Sequence, residues 1–281
     1  MQERGKILVA THSRCTSLVT RREALKGAIV SAGGFVVANL LFDPAASAWV
    51  PSPPQAAEQS GVETQTVQYP TDNGNISAAL MKPKGAGKLP GLLVVHTDRG
   101  LNDRFLGYAQ RLAAGGFVTL APDLLSRAGG SAKLTFAQAG QETARLDPDS
   151  TVSDVKAGYA FLVNNPGVDA QKISAVGFGW GAWRVFRLAE EVPTLSRAVV
   201  FFGVTPADGL EKIRTPFLSH YAQLDFRITG NAVWTEKMLG KNFTYYVYPK
   251  TEQQFLYDGT PEYNAEAAEL AWKRTLDFLH S

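Results

Sequence analysis

From residue 91 onward, short apolar runs alternate with segments whose apolar residues recur every three or four positions. The runs Leu92-Leu93-Val94-Val95-His96, Phe117 to Ala121, Ile173 to Phe178, Ala198 to Phe202, Phe217 to Tyr221 and Thr244 to Tyr248 read as strands. They show little polar face, as expected of strands covered on both sides. Helical spacing marks Asp103 to Ala114, where Phe105, Ala109, Leu112 and Ala113 share one face. Further helices are predicted at about 150–164, just after Phe178 over Trp183 to Glu190, at 231–239 and at 263–279. This alternation predicts an α/β fold, a single domain with a mostly parallel, doubly wound sheet and helices on both faces. Upstream, Val62 to Tyr69 and Asn75 to Met81 flank the turn-forming Pro70-Thr71-Asp72-Asn73-Gly74, a hairpin for the sheet edge. The Gly-rich stretch 128–135 is expected to be a loop able to cover a pocket.

The first 48 residues break this pattern. Thr20-Arg21-Arg22-Glu23-Ala24-Leu25-Lys26 precedes an uncharged, largely apolar run from Gly27 to Phe42, and Ala46-Ser47-Ala48 offers a small-x-small cleavage site. This is the layout of a twin-arginine export signal, which implies a periplasmic or otherwise extracytoplasmic location. The apolar run is shorter than the roughly 20 residues that span a bilayer, so attachment to a membrane is expected only if the signal is retained as an anchor. Residues 49–62 hold Pro51, Pro53 and Pro54 and read as an extended tether, leaving 63–281 as the folded domain.

Composition narrows the function classes. Of 28 basic and 26 acidic side chains, six and three respectively lie in residues 1–48, so the rest is nearly neutral. It has no basic field for nucleic acid. The single cysteine, Cys15, also lies in the signal, which leaves the domain without disulfides or thiol chemistry. No His, Cys or carboxylate spacing points to a metal, and no cofactor motif is present.

In doubly wound sheets, ligands sit beyond the carboxyl ends of the strands. Val176-Gly177-Phe178-Gly179-Trp180-Gly181-Ala182 has the strand-to-helix layout of a nucleophile elbow, G-x-Nu-x-G, with Gly179 where the nucleophile belongs. His96-Thr97-Asp98-Arg99-Gly100-Leu101 follows the first buried strand. Gln223-Leu224-Asp225-Phe226-Arg227 and Pro249 to Phe255 follow the last two. The order of elbow, acid and final loop is that of an α/β-hydrolase.

These segments, with Leu120-Ala121-Pro122-Asp123-Leu124-Leu125-Ser126-Arg127 and Tyr248-Pro249, resemble the dienelactone hydrolases over residues 63–281. The resemblance implies a single-domain α/β-hydrolase fold. It also implies a hydrolase of lactones and esters with a Cys or Ser, His and Asp triad and a glutamate in the first loop. By that resemblance Asp225 holds the triad acid position, while Gly179, Gln253 and Thr97 stand at the nucleophile, histidine and glutamate positions. A glycine cannot attack, an amide cannot take up a proton near neutral pH, and a threonine carries no carboxylate. Backbone N–H groups of Trp180 and of the Thr97-Asp98 loop would persist as an oxyanion-type nest at a helix start, with Arg99 and Arg227 nearby in sequence. His96 is a weak candidate base, and a hydrogen-bonded structural role is the alternative for it. Three readings remain open: a non-hydrolytic protein binding a small carboxylate, lactone or ester; a hydrolase, lyase or isomerase working through His96 and Asp225; and an accessory subunit of an exported complex.

Overall fold

The computed structural model describes residues 61–281. The export signal and nearly all of the tether lie outside the described residues. Strands β1 (Val62–Thr71) and β2 (Gly74–Pro83) form the antiparallel hairpin expected from the turn chemistry. β1 is an edge strand, and β2 continues antiparallel onto β4 (Val118–Pro122). All other pairings are parallel: β4 with β3 (Leu89–Val95), β3 with β5 (Val168–Phe178), and then β6 (Ala198–Phe201), β7 (Phe217–Ala222) and β8 (Phe243–Tyr248) in turn. The resulting eight-stranded order is β1-β2-β4-β3-β5-β6-β7-β8.

Side chains alternate across the sheet with the period of two that strands impose, and each face carries its own core. On one face Leu93, Val95, Ala175, Val200, Phe217 and Tyr221 pack under α3 (Pro148–Val163), α4 (Trp180–Glu191) and α6 (Asn231–Leu239). On the other, Leu92, Val94, Val176, Phe178, Val199 and Phe201 pack under α1 (Asp103–Ala114) and α7 (Ala265–His280). The apolar runs of the central strands lack a polar face because both of their faces are covered, whereas β8, at the far edge, leaves Thr244 and Val247 exposed.

Several boundaries differ from the sequence reading. A helix absent from it, α2 (Phe136–Arg145), starts at a capping box in which Thr135 and Gln138 satisfy each other's backbone N–H groups. The elbow helix α4 begins at Trp180, not Trp183, and β5 begins at Val168, ahead of a pairing irregularity between Pro90 and Gly91. His96 falls one residue beyond β3. A short α5 (Phe226–Thr229) precedes α6. Among the described residues no helix is long and apolar enough to cross a membrane.

Beneath the elbow, the Phe178 ring stacks on Phe201 at 4.9 Å and meets Phe105 edge-on at 5.4 Å and Trp272 at 6.3 Å. His220, fully buried, lies 4.4 Å from Phe201, and its two ring nitrogens meet the Tyr248 and Thr275 hydroxyls. This places His220 in the core. Phe178→Ala would empty the centre of that cluster, and we expect a loss of about 3–5 kcal/mol of unfolding free energy, read as a lower denaturant midpoint in equilibrium unfolding.

Candidate functional site

Register aligns the carboxyl ends of the strands. Val95 pairs with Gly177, Phe178 with Phe201, Phe201 with His220, and Ala222 with Tyr248. Just beyond them the Gly179 N–H donates to the Phe201 carbonyl at 2.8 Å and the Phe202 N–H to that of His220 at 3.0 Å. The Gln223 N–H donates to Tyr248 at 3.1 Å and the Leu224 N–H to Thr251 at 3.0 Å. The four loops named from the sequence therefore leave the sheet along one rim.

Small residues at the elbow have steric causes. A Cβ on Gly181 would collide with the carbonyl oxygens of Val95 and His96, and one on Gly177 would come within 2.8 Å of the Ala182 Cα and the Gly181 carbonyl oxygen. Helix α4 thus crosses almost in backbone contact with β3 and β5. Gly179 is different. It holds φ 51° and ψ −109°, a region that side-chain-bearing residues enter only under strain. A Cβ there would meet only Thr97, at 3.4 Å from its methyl and 3.9 Å from its Cβ. There is room for a side chain, and Thr97 faces it.

The Trp180 N–H, at the start of α4, is one of the donors that a helix leaves without an intrahelical acceptor. Thr97, which faces Gly179, accepts at Oγ1 from the Arg99 N–H at 3.2 Å. Asp225 is half-buried and caps α5, its Oδ1 accepting from the Ile228 N–H at 3.4 Å. Gln253, also half-buried, sits in the turn closed by the Phe255 N–H on the Glu252 carbonyl. The Lys250 N–H donates to Gln223 Oε1 at 2.8 Å and helps hold the two loops together. No side-chain hydrogen bond joins Asp225 to Gln253 among the described residues.

His96 is fully buried, and both of its ring nitrogens are engaged. The Leu124 N–H donates to Nε2 at 3.1 Å, so Nδ1 carries the proton and donates to the Thr97 carbonyl at 2.6 Å. Burial, the largest cause, pushes its pKa below the ordinary histidine value despite that second bond. In this arrangement the ring has no lone pair for a substrate proton; it ties the first loop to the segment after β4. Asp123 reinforces the tie. Its Oδ1 accepts from the Ser131 hydroxyl at 2.6 Å and its Oδ2 from the Ser131 N–H at 2.7 Å, while Ser131 Oγ accepts from the Leu101 N–H at 2.9 Å. The Gly-rich stretch is pinned at Ser131 to both loops.

The cations are distributed differently from the sequence expectation. Arg99 is turned away from the elbow: it pairs with Asp98 at 3.3 Å, lies 4.4 Å over the Phe136 ring and donates to the Phe136 carbonyl. Arg227 is exposed on α5. A different cation, Arg184, lies on the elbow helix and is only 6% exposed. Its guanidinium lies 3.4 Å from the Trp180 ring centroid and 5.1 Å from that of Trp183, Nε donates to Thr151 Oγ1 at 3.1 Å and Nη1 to the Trp180 carbonyl at 3.1 Å. No carboxylate pairs with it among the described residues, and burial pulls its pKa down to about 9. Cation–π contact is worth roughly 0.5–2 kcal/mol, below the several kcal/mol that desolvating an ion costs. The spacing Trp180-x-x-x-Arg184 on a largely apolar helix was the signal in the sequence. By contrast, the buried Asp154 carboxylate is answered by Arg127, with Nη1 to Oδ1 at 3.1 Å. Among the described residues no three His, Cys, Asp or Glu side chains gather as a metal site would require.

A family model described as the dienelactone hydrolase family matches residues 76–281. A provisionally named carboxymethylenebutenolidase of Methylorubrum extorquens is 29% identical over 241 residues, covering 80% of this chain and 83% of its own. One from a Synechocystis species is 26% identical over 233 residues, covering 76% and 94%. A crystal structure from Klebsiella pneumoniae, provisionally described as a dienelactone hydrolase, superposes with a TM-score of 0.71 at 21% identity, over 78% of this chain and 99% of that one. That structural likeness speaks for the fold.

The two buried histidines generate a pH dependence. An unfolded histidine titrates near 6.5, whereas burial holds His96 below that value and His220 down at about 3. Below pH 6.5 the unfolded chain therefore binds more protons than the folded one, and stability is lost as pH falls toward the folded values. The urea midpoint should drop between pH 7 and pH 5, and His220→Gln should flatten that drop.

Proposed function

The chain belongs to the dienelactone hydrolase family, and from that premise we propose that it binds a small carbonyl or carboxylate compound at the elbow without covalent acyl transfer. The observation that carries this reading is Gly179, which holds the turn between β5 and α4 with no side chain. Acyl transfer needs a nucleophile within hydrogen-bond reach of a base. His96, the histidine beside the turn, has both nitrogens engaged by backbone groups. Thr97 and Gln253, at the positions of the family's glutamate and histidine, offer neither a carboxylate nor a base. The N–H groups at the start of α4 and in the first loop are backbone, so such substitutions leave them as donors to a ligand oxygen. We further propose that the protein acts outside the cytoplasm, delivered by the twin-arginine signal in residues 1–48, and that its ligand is small, with partner subunits as a second class of contact.

Ester chemistry tests the reading. Activated aryl esters should show neither a burst nor turnover beyond the roughly 10³- to 10⁴-fold over water that binding and oxyanion contacts alone supply. Combined Gly179→Cys, Gln253→His and Thr97→Glu should introduce a burst of aryl alcohol, released as the new cysteine takes up the acyl group. Efficient turnover by the unaltered chain would sink the proposal.

A further inference from the structure

A buried charge is ordinarily paired with an opposite one or bound to an ion. Among the described residues Arg184 is the exception. Among the described residues no carboxylate pairs with it: Asp154 binds Arg127, Asp123 binds Ser131, Asp98 pairs with Arg99, and Asp147 accepts from the Ser150 N–H at the start of α3. The two hydrogen-bond acceptors that Arg184 does have are neutral, the Thr151 hydroxyl and the Trp180 carbonyl. Its remaining N–H groups, those of Nη2 included, have no acceptor among the described residues.

The surroundings add positive potential. Thr151 belongs to the first turn of α3, a 16-residue helix, and Trp180 opens α4, a 12-residue helix. The start of α3 is capped by Asp147 with Asp149 in its first turn, whereas α4 has no side-chain cap and no acidic residue in its first turn, so its positive end is unanswered. The Trp180 ring, half-buried, covers one face of the cation and lies parallel to the His96 ring, 10° from coplanar at 6.1 Å. One uncapped helix start and an unanswered guanidinium, walled by an indole, form a place that lacks an anion.

We infer that Arg184, backed by the uncapped first turn of α4 and by the Trp180 ring, binds the anionic oxygens of a small ligand, a carboxylate or a phosphate group, beside the elbow. This deepens the proposed binding function and rests on it. The anion is held by the unused N–H groups of the guanidinium, and the neutral part of the ligand lies along Trp180 toward Thr97 and the Gly179 turn. Arg184 is a binding residue in this assignment and takes part in no bond-making step.

The experiment is thermal unfolding of the full chain at constant ionic strength, with chloride replaced by benzoate or by inorganic phosphate. The melting temperature of the unaltered protein should rise with at least one of the two, since an anion that binds only the folded state stabilises it. A rise with benzoate alone identifies a carboxylate, and one with phosphate alone a phosphoryl group. In Arg184→Gln the rise should vanish, and in chloride that variant should melt no lower than the unaltered chain, because it removes an uncompensated buried charge. No rise with either anion, or an equal rise in Arg184→Gln, would overturn the inference. If the variant does not fold, the Nε–Hε resonance of Arg184 in the unaltered ¹⁵N-labelled chain, displaced by the indole current of Trp180, should move on titration with the active anion. A fixed resonance would likewise overturn it. Ester turnover by the unaltered chain would remove the non-covalent reading while leaving these anion effects to be read on their own.

Discussion

The approach of α4 to the ends of β3 and β5 is the constraint on which the rest of the site depends. Backbone lies nearly on backbone there, and only glycine at 177 and 181 permits it. The same crowding sets Ala182 against Gly203, where a Cβ on the glycine would collide with the alanine methyl. Because the helix cannot move outward without losing these contacts, the Gly179 turn is fixed from three sides: by the strand before it, the helix after it, and the Phe201 carbonyl that accepts its N–H. The positive φ of Gly179 is in keeping with that packing.

Much of this was legible in the sequence, for a physical reason. Strands buried on both faces must be apolar at consecutive positions, so the runs at 92–96, 117–121, 173–178, 198–202 and 217–221 announced the parallel part of the sheet, while the run at 244–248 belongs to the far edge strand, with Thr244 and Val247 exposed. The edge hairpin was announced by turn residues. Helix α2 was not, because its residues bury little: only Ala139 and Thr143 are covered, and Phe136 is 67% exposed. Its one readable signal was the Thr135-x-x-Gln138 capping box, which periodicity does not detect. The start of β5 was hidden similarly, since Asp169, Ala170, Gln171 and Lys172 precede the apolar run and are not buried.

Candidate residues divided along the same line. Loop membership could be read from strand order, so Thr97, Gly179, Asp225 and Gln253 were named from sequence and lie in loops at one end of the sheet. Side-chain direction could not be read. Arg99 stood closest to the first loop in sequence, yet it turns to Asp98 and Phe136 because an aromatic face and a carboxylate lie on that side. Arg184 stood inside a helix and drew no notice. Its contacts join α3 to its own helix, through Thr151 and Trp180, so only the tertiary structure reveals a cation left without a counter-charge.

Packing and chemistry are therefore separable at this elbow. Gly177, Gly181 and Gly203 serve the crossing of helix and strands, and a side chain at any of them would force backbone apart. Gly179 serves no such contact, since the space before it is open to Thr97. A side chain there would be limited by conformation instead, at a cost of roughly 1–3 kcal/mol for holding a non-glycine residue in that region. A working nucleophile offsets that strain through catalysis; a binding site has nothing to set against it. Glycine at 179 is thus the residue that a fold keeping its elbow for packing and its helix start for an anion would be free to adopt. The uncompensated Arg184 one turn further along α4 places the remaining chemical interest of the site in what it holds.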